Sequence, residues 1–156
     1  MRTAFVTFLI TLFLDQLSKV WVVHWLNLKE IGRMEVLPPL LNFRMAWNRG
    51  VNFGLFANDS DAGRWVLIGI ALVISVFVIW WMHRDPPGKG GLICAGLLVG
   101  GALGNVVDRV LYGAVADFIN MSCCGINNPF AFNLADTWIF VGAFGLIFLG
   151  GTKKPS

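Results

Sequence analysis

Four long apolar stretches, separated by polar connections, dominate the pattern of hydrophobic and polar positions along the chain. Each is close to the ~20 residues that a helix needs to cross the hydrocarbon core of a bilayer. They run over about residues 3–26, 65–82, 92–111 and 132–150. We therefore predict an all-α membrane protein with four transmembrane helices, in which residues 1–156 form a single membrane domain.

The longest connection, residues 27–64, alternates in places between apolar and polar positions as strands do. The alternation covers residues 35–37, 41–47 and 51–53. We expect these segments to form a small extracytoplasmic sheet at the outer membrane surface. Residues 83–91 form a tight turn because Pro and Gly interrupt the helical pattern there, and residues 112–131 are the third connection.

The composition agrees with a membrane protein. Of the 156 residues, 56% are hydrophobic and 13% are charged, whereas about 25% of a soluble domain is charged. A chain of this size cannot bury so many apolar residues in its own core, so the remainder must face lipid. The net charge of +3 and the absence of a Lys/Arg cluster exclude a nucleic acid partner.

The distribution of Lys and Arg near the ends of the four stretches predicts the orientation. On one side the cations are concentrated in very short segments: Arg2, Arg84, Lys89, Lys153 and Lys154. On the other side they are diluted over the long loop: Lys29, Arg33, Arg44, Arg49 and Arg64. We predict that the first side, with both termini, is cytoplasmic and that residues 27–64 and 112–131 face outward.

Small residues recur along the third apolar stretch. Gly96, Gly100 and Gly104 follow one another at intervals of four, a spacing that lets two helices approach closely in lipid. Cys94 lies in the same stretch and is expected to be buried. The adjacent pair at 123 and 124 consists either of incidental loop residues or of a strained vicinal disulfide.

Ionisable residues at membrane depth are costly and are usually functional or paired. Here they are Asp15, Lys19, Asp108, Arg109, Asp117 and Asp136. Asp15 and Lys19 are four residues apart on one helical face, which favours a neutralising ion pair. Arg109 is one turn from Asn105, so both side chains can face one site.

Asp117 and Asp136 are the strongest candidates for chemistry. The chain leaves the membrane before one and re-enters it at the other, so both can lie at the same depth. Two carboxylates held close together share a proton, and one can then act as a base while the other acts as an acid. From the spacing alone, two helix caps or a cation site are equally open.

Other catalysts are harder to assemble from this sequence. The serines lack the G-x-S-x-G pattern, and HExxH and CxxC motifs are absent. The two histidines, His24 and His83, fall on opposite sides of the membrane in the predicted topology. We expect neither a metal ion nor another cofactor.

Five segments, in order along the chain, resemble the lipoprotein signal peptidase (signal peptidase II) family of bacteria. They are Asp15-Gln-Leu-Ser-Lys19, Asn48-Arg-Gly50 with Phe53, the run from Gly100 to Arg109, Val115-Ala-Asp-Phe-Ile119 after Gly113, and Phe132-Asn-Leu-Ala-Asp136. There are two departures: Val51-Asn52, where the family usually has two alanines, which puts the substrate contacts of that loop in question, and Cys123-Cys124, which belongs to no family motif.

The resemblance implies a role for each matching residue. Asp117 and Asp136 match the catalytic pair of an aspartyl protease. Asn48, Asn105, Arg109 and Asn133 match polar residues that line the site, with Asp108 beside them. Asp15 and Lys19 match a supporting pair on the first helix.

The resemblance also implies a function. Such enzymes cleave the signal peptide from a diacylglyceryl-modified prolipoprotein, just before the lipidated cysteine, near the periplasmic face of the inner membrane. They are inhibited by globomycin, and we expect a monomer embedded in membrane lipid whose loop 27–64 closes as a lid. Two alternatives from other functional classes are a small proton or cation transporter and a structural membrane subunit.

Overall fold

The computed structural model describes residues 1–50, 62–122 and 128–151, which form a helical bundle with one small sheet. The helices are α1 (Arg2–Lys19), which continues as a π-helical segment (Val20–Trp25), α2 (Leu28–Ile31), α3 (Ala62–Arg84), α4 (Lys89–Tyr112) and α5 (Leu134–Leu149). The strands are β1 (Arg33–Leu37), β2 (Leu41–Asn48) and β3 (Val115–Met121).

Three helices of the described chain are long and apolar enough to cross a membrane: Arg2–Trp25, Ala62–Arg84 and Lys89–Tyr112. The apolar helix α5 has 16 residues, which corresponds to about 24 Å and is shorter than the ~30 Å hydrocarbon core. The prediction of a mostly helical membrane protein is therefore confirmed. Three of the four predicted spans have the required length.

Helix α4 is the centre of the bundle, because its small residues let α1 and α5 approach its backbone. A Cβ added at Gly96 would lie 2.6 Å from the carbonyl oxygen of Ala4 in α1. One added at Gly101 would lie 2.5 Å from the carbonyl oxygen of Ala135 in α5. Gly100 and Gly104 also lie against α1, so the close-packing role predicted for Gly96, Gly100 and Gly104 is confirmed. Gly101 was not part of that prediction. Cys94 on the same helix is buried as expected.

The three strands form an antiparallel sheet in the order β1-β2-β3. β1 and β2 come from the predicted loop segments, but β3 comes from residues 112–131, which we had predicted as a connection. The segment does connect α4 and α5, but its strand was not predicted because β3 is buried along most of its length and therefore lacks the alternation of a half-exposed strand. The segment predicted at 51–53, the cysteines at 123 and 124 and the lysines at 153 and 154 lie outside the described residues.

The sheet is held against the end of α1 by a cluster of buried apolar side chains. Ala116 and Phe118 of β3 pack there with Val22 and Val23 of the π-helical segment. Successive side chains of a strand point to opposite faces. The residue between the two, Asp117, therefore points away from the cluster and towards α4 and α5.

Candidate active site

Asp117 lies in the middle of β3, and both of its carboxylate oxygens accept hydrogen bonds from asparagines. The Nδ2 of Asn133 donates to Oδ1 at 2.7 Å, and the Nδ2 of Asn48 donates to Oδ2 at 3.1 Å. Asn48 is the last residue of β2, where it pairs with Val115 of β3. The Asp117 side chain is buried, and the exposed Asn48 forms the rim on its solvent side.

Asp136 lies in the first turn of α5 and takes part in a capping box with Asn133. Its N–H donates to the Oδ1 of Asn133 at 2.9 Å, while its own Oδ2 accepts from the Asn133 N–H at 3.3 Å. Its other oxygen, Oδ1, accepts from the Nδ2 of Asn105 at 2.9 Å. Capping was one of the alternatives left open by the sequence. Asp136 does cap α5, and it also contacts Asn105 of α4.

Asn133 connects the two carboxylates directly. Its fully buried side chain donates to the Asp117 carboxylate, and its backbone N–H donates to the Asp136 carboxylate. A β-bridge between Ile119 and Phe132 also joins β3 to the segment that leads into α5. The strand that bears one aspartate is thus held beside the helix turn that bears the other.

The surroundings of Asp117 change its acidity. Burial of the carboxyl, together with the nearby charge of Asp136, raises the pKa of Asp117 from 3.8 to about 6. The hydrogen bonds from Asn48 and Asn133 and the charge of Lys19 lower it and only partly compensate. A carboxyl with this pKa exchanges its proton close to neutral pH, as one member of a general acid–base pair must.

A buried group of three charges lies behind the two aspartates. The Nζ of Lys19 is 2.8 Å from the Oδ2 of Asp15 and 2.9 Å from the Oδ2 of Asp108. The predicted pair of Asp15 and Lys19 is therefore present, and Asp108 on α4 completes it. Lys19 also donates to the Oδ1 of Asn105 at 3.2 Å, which links this group to Asp136.

Arg109 lies one turn beyond Asn105 on α4, as the sequence indicated. Its Nη1 is 3.4 Å from the carbonyl oxygen of Asn105, and its positive charge acts on both Asp136 and Asp117. Its Nε is buried and has no hydrogen-bond partner among the described residues. The Nε–H of Arg109 is therefore a hydrogen-bond donor that no described residue accepts from.

All nine polar residues singled out in the sequence lie in this one connected network. The sequence missed Gln16, whose Nε2 donates to the Oδ2 of Asp15 at 3.1 Å and to the Oδ1 of Asp108 at 3.1 Å. Its position directly after Asp15 was the available signal. Among residues 1–50, 62–122 and 128–151, no group of three His, Cys, Asp or Glu side chains is arranged to hold a metal ion.

Comparison with known proteins identifies the family of the chain. The family described as signal peptidase (SPase) II matches residues 7–150 of the chain. The chain belongs to the signal peptidase II family. Membership favours the peptidase over the transporter and structural-subunit alternatives.

Individual relatives of the signal peptidase II family match over most of the chain. The lipoprotein signal peptidase of Methylorubrum extorquens (strain PA1) is 41% identical over 147 residues, covering 94% of this chain and 84% of its own length. That of Polynucleobacter necessarius subsp. necessarius (strain STIR1) is 40% identical over 146 residues, covering 94% and 86%. A solved structure of a bacterial membrane enzyme matches with a TM-score of 0.78 and 26% identity, covering 100% of this chain and 95% of the other.

Proposed function

We propose that the protein is an aspartic endopeptidase that removes the signal peptide from diacylglyceryl-modified prolipoproteins, cutting just before the lipidated cysteine. Family membership supports the peptidase activity and the substrate class. The observation that carries the assignment of the site is the position of Asn133, whose side-chain amide donates to the Asp117 carboxylate and whose backbone N–H donates to the Asp136 carboxylate. In this proposal, the two aspartates are the catalytic residues.

The reaction needs one ionised and one protonated carboxyl. The ionised carboxylate accepts a proton from water as the water oxygen attacks the scissile carbonyl carbon, and the protonated carboxyl donates its proton to the carbonyl oxygen. The resulting gem-diol then breaks its C–N bond. The amine nitrogen takes the proton that water gave up, and a hydroxyl of the gem-diol returns its proton to the other carboxyl.

The two carboxyls titrate as a pair, so the active form carries a single proton between them. Asp117, with a pKa of about 6, holds that proton more readily than an ordinary aspartate does. We therefore expect cleavage to decline as the pH rises above about 6, by up to tenfold per pH unit, as the shared proton is lost. A rate that stays constant from pH 6 to pH 9 would contradict this role.

Neighbouring polar groups can hold the peptide of the substrate. The guanidinium of Arg109, a half-buried residue whose charge acts on both aspartates, can supply a charge-assisted donor for a substrate carbonyl oxygen. The exposed Asn48 lies at the rim of the site and contacts Asp117. We propose that these two residues, with Asn105 and Asn133 behind the carboxylates, orient the scissile bond.

The proposed setting is the bacterial inner membrane, with both termini in the cytoplasm and the site near the periplasmic face. The distribution of Lys and Arg supports this orientation. In it, α5 is a fourth span that crosses a locally thinned bilayer, the described chain is one membrane domain, and the protein acts as a monomer. Globomycin-type compounds are the expected inhibitors.

The test uses the full chain, purified in detergent, with a diacylglyceryl-modified prolipoprotein as substrate and a gel shift as the readout. Asp117→Asn and Asp136→Asn should each reduce cleavage by at least a thousandfold, because each removes one partner of the acid–base pair. Asp85→Asn, an equivalent change in the exposed turn between α3 and α4, is the matched control and should cleave normally. Normal cleavage by either dyad variant would overturn the assignment.

A further inference from the structure

Two buried carboxylates behind the site each bind the backbone of a residue that precedes a proposed catalytic aspartate. The Oδ1 of Asp15 accepts from the N–H of Ala135 at 3.0 Å, one residue before Asp136. The Oδ2 of Asp108 accepts from the N–H of Ala116 at 3.1 Å, one residue before Asp117. The same kind of contact is thus made at both halves of the pair.

One cation joins these two carboxylates. The Nζ of Lys19 is 2.8 Å from Asp15 and 2.9 Å from Asp108, so the positions of the two carboxylates depend on each other. The path from Ala135 through Asp15, Lys19 and Asp108 to Ala116 is therefore a continuous series of short polar contacts. It spans from the first turn of α5 to β3 and passes through both α1 and α4.

We propose that Asp15, Lys19 and Asp108 form a positioning clamp that fixes the separation and orientation of the Asp117 and Asp136 carboxylates. This inference rests on the proposed function, because it assigns the clamp a part in that reaction. The three residues are positioning residues and not catalytic ones. They are at most 5% exposed, which keeps them away from the substrate.

Lys19 has a second effect on the pair through Asn105. Because Lys19 and Asn133 both donate to the Oδ1 of Asn105, the amide can present only its Nδ2 to Asp136. With the amide reversed, its oxygen would face the Asp136 carboxylate and repel it. The cation therefore selects the rotamer that makes Asn105 a donor to the site.

A purely structural role does not account for the clamp. Buried ion pairs are costly to desolvate, and well-packed apolar residues often replace them without loss of stability. The part of the bundle around Val78 and Met82, by comparison, contains a buried apolar cluster, and glycines there lie against neighbouring helices. A displacement of catalytic groups by about 1 Å, by contrast, can lower a reaction rate about a hundredfold. Precise positioning of the two carboxyls therefore explains why the charges are buried here.

The test compares two substitutions of Asp108 in the full chain. Asp108→Leu removes the acceptor for the Ala116 N–H, whereas Asp108→Asn keeps an oxygen that can accept it. We expect Asp108→Leu to lower kcat about a hundredfold with KM within twofold, and Asp108→Asn to recover about tenfold of that loss. Val78→Ala, in the apolar cluster of the bundle, is the control for destabilisation and should retain wild-type kcat below its melting temperature.

The pH profile separates positioning from a general loss of structure. Asp117 faces Asp136, Arg109 and Lys19, and the nearby Asp136 contributes to its raised pKa. If the clamp loosens, the carboxylates move apart and the alkaline limb of the kcat/KM profile shifts to lower pH. We expect a shift of at least half a pH unit in Asp108→Leu and none in Val78→Ala.

Should Asp108→Leu fail to fold, the double variant Lys19→Met with Asp108→Leu keeps the net charge of the cluster and provides the same readouts, as does Asp108→Asn alone. Wild-type kcat and pH profile in the folded variants, with Asp117→Asn inactive, would overturn the clamp and leave the proposed function intact. Loss of kcat with an unshifted profile would also overturn it. Normal cleavage by Asp117→Asn would instead overturn the proposed function.

Discussion

Helices α1 and α4 pack against each other by one kind of contact near the start of α1 and by another near its end. Near the start, Gly96 and Gly100 lie against the backbone of α1 and the side chain of Thr11. Near the end, Gly104 lies against the carboxylate of Asp15, and Lys19 joins α1 to α4 through Asp108. One pair of helices thus has a shape-based contact and a charge-based contact a few turns apart.

The difference between the two contacts indicates where stability and activity are determined. Close packing of small residues provides van der Waals contact at low cost in lipid. Burying three charges is expensive unless each is paired and hydrogen-bonded, and the charged contact is the one that leads to Asp117 and Asp136. We expect changes in the first contact to affect stability and changes in the second to affect catalysis.

The largest expected effect comes from Gly104→Ala. The added Cβ would collide with the Oδ2 of Asp15, the oxygen that Lys19 contacts, so the three charges must rearrange. We expect kcat to fall by about a hundredfold or more, measured on a diacylglyceryl-modified prolipoprotein. If the variant cleaves at the wild-type rate, the charged contact has no special role in catalysis.

Gly96→Ala makes the equivalent change in the other contact. Its Cβ would lie 2.6 Å from the Ala4 carbonyl oxygen, and overpacking of this kind costs about 1–3 kcal/mol. We expect a melting temperature several degrees lower and a kcat within threefold of wild type at a temperature where the variant is folded. A loss of kcat as large as that of Gly104→Ala would remove the distinction between the two contacts.

Asp117→Asn should increase stability at alkaline pH although it abolishes activity. Because the pKa of Asp117 is raised to about 6 in the folded protein, the native state favours the protonated carboxyl, and its contribution to stability is lost as the pH rises through about 6. Asn avoids this loss. We expect a gain of about 1–2 kcal/mol at pH 8, allowing for partial solvent screening, and a smaller gain at pH 5.

Thermal melts of the wild type and Asp117→Asn at the two pH values would measure this difference. Asp85→Asn serves again as the control, because its side chain is exposed. An Asp117→Asn gain that is larger at pH 5 than at pH 8 would contradict the raised pKa.

The smallest effect is expected for Gly69→Ala on α3, outside both contacts. An added Cβ there meets nothing within 4 Å, and alanine favours the helix over glycine by up to about 1 kcal/mol. The melting temperature should stay the same or rise slightly, and kcat should be unchanged. A marked loss of either would show that α3 supports the site in a way that its packing does not explain.

The helices and the polar residues of the site could be predicted from local pattern, because long apolar runs and isolated charges within them are visible in the sequence. β3 could not, since its burial on both faces removes the alternation by which a half-exposed strand is recognised. The contact between Asp15 and the Ala135 N–H joins residues 120 positions apart, so no local sequence pattern predicts it. The resemblance to the family's motifs predicted that these polar residues share one site, which the periodicity of the sequence could not predict.

The long sequence separation within the clamp has a consequence for how the protein is built into the membrane. Asp15 and Lys19 can neutralise each other within α1 as soon as that helix forms, so the first segment enters the bilayer as a closed ion pair. Asp108 and the Ala135 N–H arrive only with later segments. The polar groups of α1 therefore reach their final partners only when α5 has been inserted, which couples completion of the site to the insertion of that helix.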